Sequence, residues 1–98
     1  MIEVKLKVFS WLKGSGNLAG FDEEILSVPD GETVLDMARR LASREEVFRT
    51  AIFDPQGQRI REDIGVILNG RFVNPYERSE VMLREGDEVV FLPILHGG

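Results

Sequence analysis

The sequence contains no cysteine and a single histidine, His96. Without cysteine the chain cannot form a disulfide, a thiolate nucleophile or a Cys-ligated zinc or iron–sulfur site, and one histidine argues equally against a His-rich metal site. We therefore expect no metal site and no cofactor bound by this chain.

Long apolar runs are also absent. No segment approaches the roughly 20 apolar residues that a membrane-spanning helix needs, and the opening MIEVKLKV alternates charged and aliphatic residues, unlike a secretory signal. We expect a cytoplasmic protein with no membrane partner. The net charge of -5 argues against a nucleic-acid partner, because phosphate binding needs clustered Lys and Arg. The acidic charge either serves solubility alone or attracts a basic partner cleft.

What the chain does contain is ordinary globular composition. Its 98 residues, with 43% hydrophobic and 30% charged, suffice for one hydrophobic core and leave little for a second. We predict a single domain over residues 1–98.

The first third predicts a β-hairpin. The segment IEVKLKVF alternates aliphatic and charged residues, which is typical of a strand with one buried face, and Phe9 falls on the charged face. The segment KGSGNLAG predicts a flexible loop, since its glycine spacing matches neither a P-loop nor a dinucleotide-binding fingerprint. The segment EEILSV predicts the second strand.

A helix follows this hairpin. The tripeptide PDG predicts a turn, and Thr33 is a good N-cap with the acidic Asp36 three residues later. Apolar residues then recur at helical spacing over 34–42, so the helix is amphipathic and packs on a sheet. The stretch Val47–Phe53 is apolar and fits either a short helix or an irregular plug.

The second half predicts short strands joined by turns. The tetrapeptide DPQG predicts a turn, GVILNGRFV predicts a hairpin around Asn-Gly, and REGD predicts a turn before a last strand that ends at Pro93. Because VVFLPIL is apolar on both sides, we expect this strand in the middle of the sheet, covered on both faces. The predicted fold class is α+β, a mixed sheet with one main helix on one face.

The chain finishes on Gly97 and Gly98 directly after that strand. Glycine has high backbone entropy and no Cβ, so such an end can thread a channel that other residues would block. We predict that residues 94–98 form a flexible tail able to carry its carboxylate into another protein's active site. A chain trimmed at this point would end in the same way.

The succession FDEEILSVPDGETVLDMARRLA, VILNGRFV and LREGDEVVFLPILHGG resembles the ubiquitin-like sulfur carriers of the MoaD/ThiS family, whose members share the β-grasp fold. The resemblance covers nearly the whole chain and is most specific in GDEVVFLP and the terminal glycines. Within the family, the chain looks more like the small subunit of molybdopterin synthase than the thiamine-thiazole carrier. It departs from the family pattern at His96, where a small residue is usual, and at Ile94, where a second proline is common.

The resemblance implies a reactive C-terminus. In this family an E1-like adenylating enzyme uses ATP and Mg²⁺ to activate the terminal carboxylate, here that of Gly98, and a sulfur donor protein converts it to a thiocarboxylate. The tail residues Leu95, His96 and Gly97 would then enter the active site of the large molybdopterin synthase subunit, in a heterotetramer. The chain would have no independent activity and would act as the sulfur-donating subunit in molybdenum or tungsten cofactor biosynthesis.

Three further residues match positions that contact partners in similar proteins: Phe9, Phe72 and Leu92. Together they would form a partner-docking patch, although each also fits an ordinary core or loop plug. His96 is either a solvated tail residue or a hydrogen-bonding group inside the partner's channel.

Two other functions remain open from the residues. One is a ubiquitin-like modifier, or a carrier for another pathway such as tRNA thiolation or thiamine. The other is a non-reactive β-grasp interaction module.

Overall fold

The structure is a computed structural model that describes residues 1–9, 20–77 and 82–94. Its strands are β1 (Ile2–Phe9), β2 (Phe21–Val28), β3 (Phe53–Asp54), β4 (Arg59–Ile60), β5 (Ile64–Leu68), β6 (Arg71–Phe72) and β7 (Glu88–Pro93). Helix α1 spans Val34–Arg44, and a π-helical turn spans Phe48–Ile52. Apart from Gly20, the predicted glycine-rich loop lies outside the described residues, as do the tail residues Leu95, His96, Gly97 and Gly98.

Five strands form a mixed sheet in the order β2-β1-β7-β5-β6. The two ends of the chain meet at its centre, where β1 and β7 run parallel, while β2 and β5 lie antiparallel on either side. The expectation that the last strand runs through the middle of the sheet is therefore confirmed. A separate two-stranded sheet, β3 with β4, flanks the predicted DPQG turn.

Helix α1 begins where the sequence predicts. The Thr33 side-chain oxygen accepts a hydrogen bond from the Asp36 backbone N–H at 3.1 Å, and the Asp36 carboxylate accepts one from the Thr33 N–H at 3.3 Å. This reciprocal capping box satisfies two donors that the first helical turn leaves free. The helix packs its apolar side on the sheet, and the buried residues of that side are Val34, Met37, Ala38, Leu41 and Ala42.

The apolar stretch after α1, for which a short helix and an irregular plug both remained open, contains the π-helical turn. It buries Phe48 and Ile52 completely, and Phe53 follows at 1% exposure. The Phe48 ring meets the Phe91 ring of β7 edge to face at 5.6 Å. The segment therefore closes one end of the core that lies between α1 and the sheet.

The Asn-Gly hairpin is also confirmed. Asn69 and Gly70 both have positive φ, at 52° and 84°, as the type I′ turns that favour Asn-Gly require. Its second strand is short, since only Arg71 and Phe72 continue the ladder.

Coverage of the last strand is only partly as predicted. In the described ranges, α1 and the π-helical turn pack on one face of the sheet, the face on which Val89 and Phe91 are buried. On the opposite face Val90 is also buried, at 7% exposure, whereas Leu92 is half-buried. The outer side of β7 is thus buried at its middle and partly exposed towards the root of the tail.

Candidate functional site

The structure places Phe9, Phe72 and Leu92 on the outer face of the sheet, opposite the helix. Strand alternation decides this, because Val4, Leu6 and Val8 are buried under the helix and Phe9 therefore points away from it. In β7 the same alternation buries Phe91 in the core and turns Leu92 outwards. Four of the five predicted tail residues, 95–98, lie outside the described residues.

Strand order brings these three positions together although the sequence separates them widely. The parallel register pairs Val8 with Phe91, so the next residues along, Phe9 and Leu92, share one row of the outer face. On the other side Leu92 pairs with Gly65 of β5. Phe72 of β6 pairs with Ile67, which lies in the neighbouring row with Val90. Its ring nevertheless reaches the first row, since Cε1 lies 3.1 Å from the place where a Cβ of Gly65 would be.

Further apolar residues on this face complete the patch. The Phe21 ring lies 5.5 Å from the Phe9 ring in an edge-to-face contact at 74°. Phe72 is 66% exposed and Phe21 40% exposed, so large rings lie open to solvent. We call the following set the outer patch: Phe9, Phe21, Ile67, Phe72, Leu92 and Ile94.

A glycine lies beneath the outer patch. A methyl group at Gly65 would come within 2.8 Å of Ile94 Cγ2, 3.1 Å of Phe72 Cε1 and 3.7 Å of Leu92 Cδ2. The first of these separations is shorter than real Cβ contacts, so a larger residue would displace its neighbours. The absence of a side chain at this position thus creates a recess into which Ile94 and Phe72 pack.

The start of the predicted tail is part of this arrangement. Ile94 follows the last strand residue, and its backbone N–H donates a hydrogen bond to the Asp63 carbonyl at 2.8 Å. The described fold therefore includes Ile94, the first residue of the predicted flexible tail.

Charged residues border the outer patch on the same face. The Lys7 ammonium lies 3.3 Å from a Glu23 carboxylate oxygen and 3.4 Å from one of Glu88, so one cation links β2, β1 and β7. The hydrogen bond that Lys7 donates to the Glu23 carboxylate is the main cause that raises the pKa of Lys7, and the Glu88 charge adds to it although desolvation opposes both. The outer face is thus apolar near the root of the tail and charged at its other end.

Two clefts lined by described residues lie away from the outer patch. An open cleft of about 610 Å³ is lined by charged residues of both signs and one glycine: Asp54, Gly57, Arg59, Arg61, Glu62 and Asp63. Arg59 pairs with Glu62 in it at 2.6 Å. Such a mixed, polar lining lacks the apolar walls of typical small-molecule sites. A second cleft of about 460 Å³ lies beside the N-terminal end of α1 and includes Tyr76 and Met82.

No group of three or more His, Cys, Asp or Glu side chains in residues 1–9, 20–77 and 82–94 is arranged to hold a metal ion. The same ranges contain no helix with the length and apolarity of a membrane span.

Sequence reasoning found three members of the outer patch and missed Phe21 and Ile67, and it placed Ile94 in the tail alone. Phe21 could have been found from the hairpin register, which pairs it directly with Phe9. The recess had no sequence signal, because it requires the pairing of β5 with β7.

Comparison with known proteins confirms both the predicted fold and the predicted family. The model of the ThiS family matches residues 9–98. A candidate molybdopterin converting factor, subunit 1, from Pyrococcus furiosus is 30% identical, with 97% of this chain and 100% of that chain covered and a TM-score of 0.67. The small archaeal modifier protein 1 from Methanosarcina acetivorans is 28% identical, with 100% and 98% covered and a TM-score of 0.70.

A more distant neighbour shows the fold alone. The Haloferax volcanii small archaeal modifier protein 1 is 24% identical, with 98% of this chain and 99% of that chain covered and a TM-score of 0.70. No curated protein matches the sequence. Because the family model spans almost the whole chain, the chain belongs to the ThiS family of ubiquitin-like sulfur carriers, and its fold is the β-grasp.

Proposed function

We propose that this member of the ThiS family is a sulfur carrier of the molybdopterin synthase small-subunit type. The Gly98 carboxylate is adenylated, converted to a thiocarboxylate, and donates its sulfur in molybdenum or tungsten cofactor biosynthesis. The likeness to the Pyrococcus furiosus protein, at 30% identity over nearly all of both chains, supports this pathway.

The observation that carries the proposal is that the root of the tail is part of the outer patch. Leu92 and Ile94 belong to the patch, and four residues remain beyond Ile94. Four residues extend over at most about 14 Å. A partner docked on the outer patch therefore has the Gly98 carboxylate within reach of an active site close to the interface, without any rearrangement of the sheet.

The chemistry needs an activated terminus because a carboxylate is a poor acyl electrophile. A Gly98 carboxylate oxygen attacks the α-phosphorus of ATP and pyrophosphate leaves, with Mg²⁺ neutralising phosphate charge in the activating partner. Sulfur then attacks the acyl carbon, the C–S bond forms, and AMP leaves with the mixed-anhydride oxygen. Hydrosulfide gives the thiocarboxylate directly, whereas a protein persulfide also needs a thiol that reduces the acyl disulfide.

The partners in this proposal are an E1-like adenylating enzyme, a sulfur donor protein and the large subunit of molybdopterin synthase, in a heterotetramer. Positioning and anion-stabilising groups belong to those partners. The chain supplies the sulfur-bearing end and the surface that docks it, which is why it binds no cofactor of its own in this proposal.

A second candidate function is protein modification, and the likeness to the Methanosarcina acetivorans modifier protein favours it specifically. In that case the activated Gly98 carbonyl is attacked by the amine of a target lysine, an isopeptide bond forms, and the activating group leaves. The two functions share activation and differ in the final acceptor.

One experiment separates these functions. The purified chain is mixed with an E1-like adenylating enzyme from the same cell, ATP, Mg²⁺ and sulfide, and the products are followed by pyrophosphate release and intact mass. A carrier gains the mass difference of one oxygen replaced by sulfur at the C-terminus, whereas a modifier yields covalent adducts with other proteins when cell extract is added. A variant lacking Gly98 is the control and should release no pyrophosphate.

The same experiment exposes failure of the proposal. A wild-type chain that no adenylating enzyme of the cell activates, or a mature chain that continues past Gly98, would contradict both candidates and leave a β-grasp interaction module.

A further inference from the structure

We propose that Gly65 and Ile94 are positioning residues: the recess at Gly65 seats the Ile94 side chain and thereby fixes where the C-terminal tail leaves the fold. This inference rests on the proposed function, because a fixed point of departure matters only if the tail is delivered to a partner. It adds to that function a reason for glycine in the fifth strand.

The recess is built by three strands. Gly65 of β5 pairs with Leu92 of β7, and Ile94 is the diagonal neighbour of Gly65 on the same face. Its Cγ2 lies 2.8 Å from the place where a Cβ of residue 65 would be, and Phe72 of β6 lies on the recess with Cε1 at 3.1 Å. No side chain larger than that of glycine fits there unless Ile94 or Phe72 moves.

Ile94 is held at two points. Its side chain occupies the recess, and its N–H donates to the Asp63 carbonyl at 2.8 Å. The preceding residue, Pro93, pairs with Ile64 and has no N–H to contribute. Backbone and side chain together therefore fix both the position and the direction of the chain at residue 94.

Such an anchor has a physical consequence for the tail. Residues 95–98, which the proposed function sends into a partner's active site, follow directly on this anchor, so their reach starts from a fixed point on the outer patch. Ordering a tail with a fixed root costs less conformational entropy than ordering one that also includes a loose strand end. Displacement of a reacting group by about 1 Å can cost about 100-fold in rate, so the anchor should matter for activation more than for folding.

A purely structural explanation makes a different prediction. If Gly65 merely avoids a clash, Gly65→Ala should lower the rate of activation, and adding Ile94→Ala should remove the clash and restore that rate. If the seat itself matters, Gly65→Ala and Ile94→Ala remove the same feature, and the double variant should resemble either single one. Ile94→Val retains Cγ2, the atom nearest the recess, and should therefore lose less than Ile94→Ala.

The first measurement needs no partner. Amide hydrogen exchange of Ile94 in the full chain should accelerate by about tenfold or more in Gly65→Ala and Ile94→Ala, because the seat that protects it is lost. The control is the Leu83 amide, which lies away from the recess and donates a 2.9 Å hydrogen bond to the Glu32 carbonyl. Its exchange reports global opening, and its exchange rate should be the same in all variants. Equal Ile94 exchange in all variants would overturn the inference.

The second measurement uses the adenylating enzyme, ATP and Mg²⁺, with pyrophosphate release as the readout. We expect kcat/KM to fall about tenfold in Gly65→Ala, in Ile94→Ala and in the double variant. Ile94→Val, which keeps Cγ2, should lose less than Ile94→Ala. The control that should keep the wild-type value is Ile25→Ala, because Ile25 is 60% exposed on the outer face of β2 and outside the outer patch.

Two outcomes refute the positioning role: an Ile94→Ala variant that is activated at the wild-type rate, or a double variant that recovers that rate. A wild-type chain that is not adenylated at all counts against the proposed function instead. In that case the exchange pattern alone decides whether the recess seats Ile94.

Discussion

Phe9 and Phe21 meet edge to face at one end of the β1–β2 hairpin, with ring centroids 5.5 Å apart. Neither ring belongs to the core under the helix, and Phe21 is 40% exposed. The pair therefore joins the edge strand to the part of the sheet from which the tail departs.

We expect a measurable coupling between these rings. In a double-mutant cycle of Phe9→Ala and Phe21→Ala, the coupling should be about 0.5 kcal/mol, at the lower end of the range for aromatic pairs because both rings are partly exposed. Urea unfolding of the four proteins measures it. Strictly additive losses would show that the two rings only share a row.

A substitution at Phe72 should affect partner binding much more than folding stability. Because Phe72 is 66% exposed, Phe72→Ser should change the free energy of unfolding by less than about 1 kcal/mol. The same substitution should weaken binding to the partner enzyme by more than about 1 kcal/mol, if the outer patch is the docking surface. Titration calorimetry against the adenylating enzyme tests this, with Ile25→Ser as the matched control. Equal affinities for both variants would place the interface elsewhere.

The capping box of α1 should contribute to stability. Thr33→Ala removes the side-chain acceptor of the Asp36 N–H and should lower the free energy of unfolding by about 1 kcal/mol. Thermal or urea unfolding measures the loss. Thr33→Ser, which keeps the hydroxyl, should restore most of it, and a serine variant as unstable as the alanine variant would argue against the cap.

Asp36 gives this cap a pH dependence. Partial burial raises the pKa of the Asp36 carboxyl, but hydrogen bonds from Thr33 and Arg39 outweigh it, so the pKa lies below its ordinary value of 3.8. A lowered pKa contributes stability that is present above pH 3.8 and is lost as the pH falls through the folded-state pKa. The stability difference between wild type and Asp36→Asn should therefore shrink on acidification below that value. A difference that stays constant down to complete protonation would contradict this assignment.

The partly buried pair of Arg40 and Glu32 should give stability the opposite dependence on pH. The Arg40 guanidinium lies 2.7 Å from a Glu32 carboxylate oxygen, and the Glu32 side chain is only 9% exposed. Burial raises the pKa of Glu32 and the Arg40 charge opposes that rise. Arg40→Leu should cost about 2 kcal/mol at pH 7, because it leaves a carboxylate without its countercharge in a poorly solvated place.

The direction in which stability changes with pH follows from the raised pKa of Glu32. A carboxyl whose folded-state pKa is above its ordinary 4.5 binds the proton more tightly in the folded state, so stability falls as the pH rises through that range. The loss in Arg40→Leu should thus be smaller at pH 4 than at pH 7. The matched control is Arg59→Leu in the exposed pair with Glu62, which should cost less than about 1 kcal/mol. A loss independent of pH would point to packing rather than charge.

Much of the fold follows from short-range patterns. The alternation in β1, the cap and spacing of α1, and the Asn69-Gly70 turn each depend on residues close together in sequence, and each is present as predicted. The π-helical turn could not be predicted from the sequence, because the spacing of its apolar residues does not distinguish a short helix from an irregular buried segment.

The outer patch marks the limit of such reasoning. The misplaced Phe9 on a charged strand face correctly indicated an apolar outer surface, and Leu92 and Phe72 were expected beside it. Which residues actually adjoin them depends on strand order. The last strand, expected to be covered on both faces, is buried at Val89, Val90 and Phe91 but only half-buried at Leu92. Ile94 was assigned to the tail, yet its N–H is bonded to Asp63.

The sequence by itself determined β1, α1 with its cap, the Asn69-Gly70 hairpin and the central place of the last strand, because side-chain periodicity and turn chemistry are local properties. Only the tertiary structure decided that residues from β2, β1, β7, β5 and β6 meet in a single apolar surface, and that Gly65 lies beneath Ile94. Those contacts join segments tens of residues apart, and their register is set by the packing of the whole sheet against one helix rather than by any segment alone.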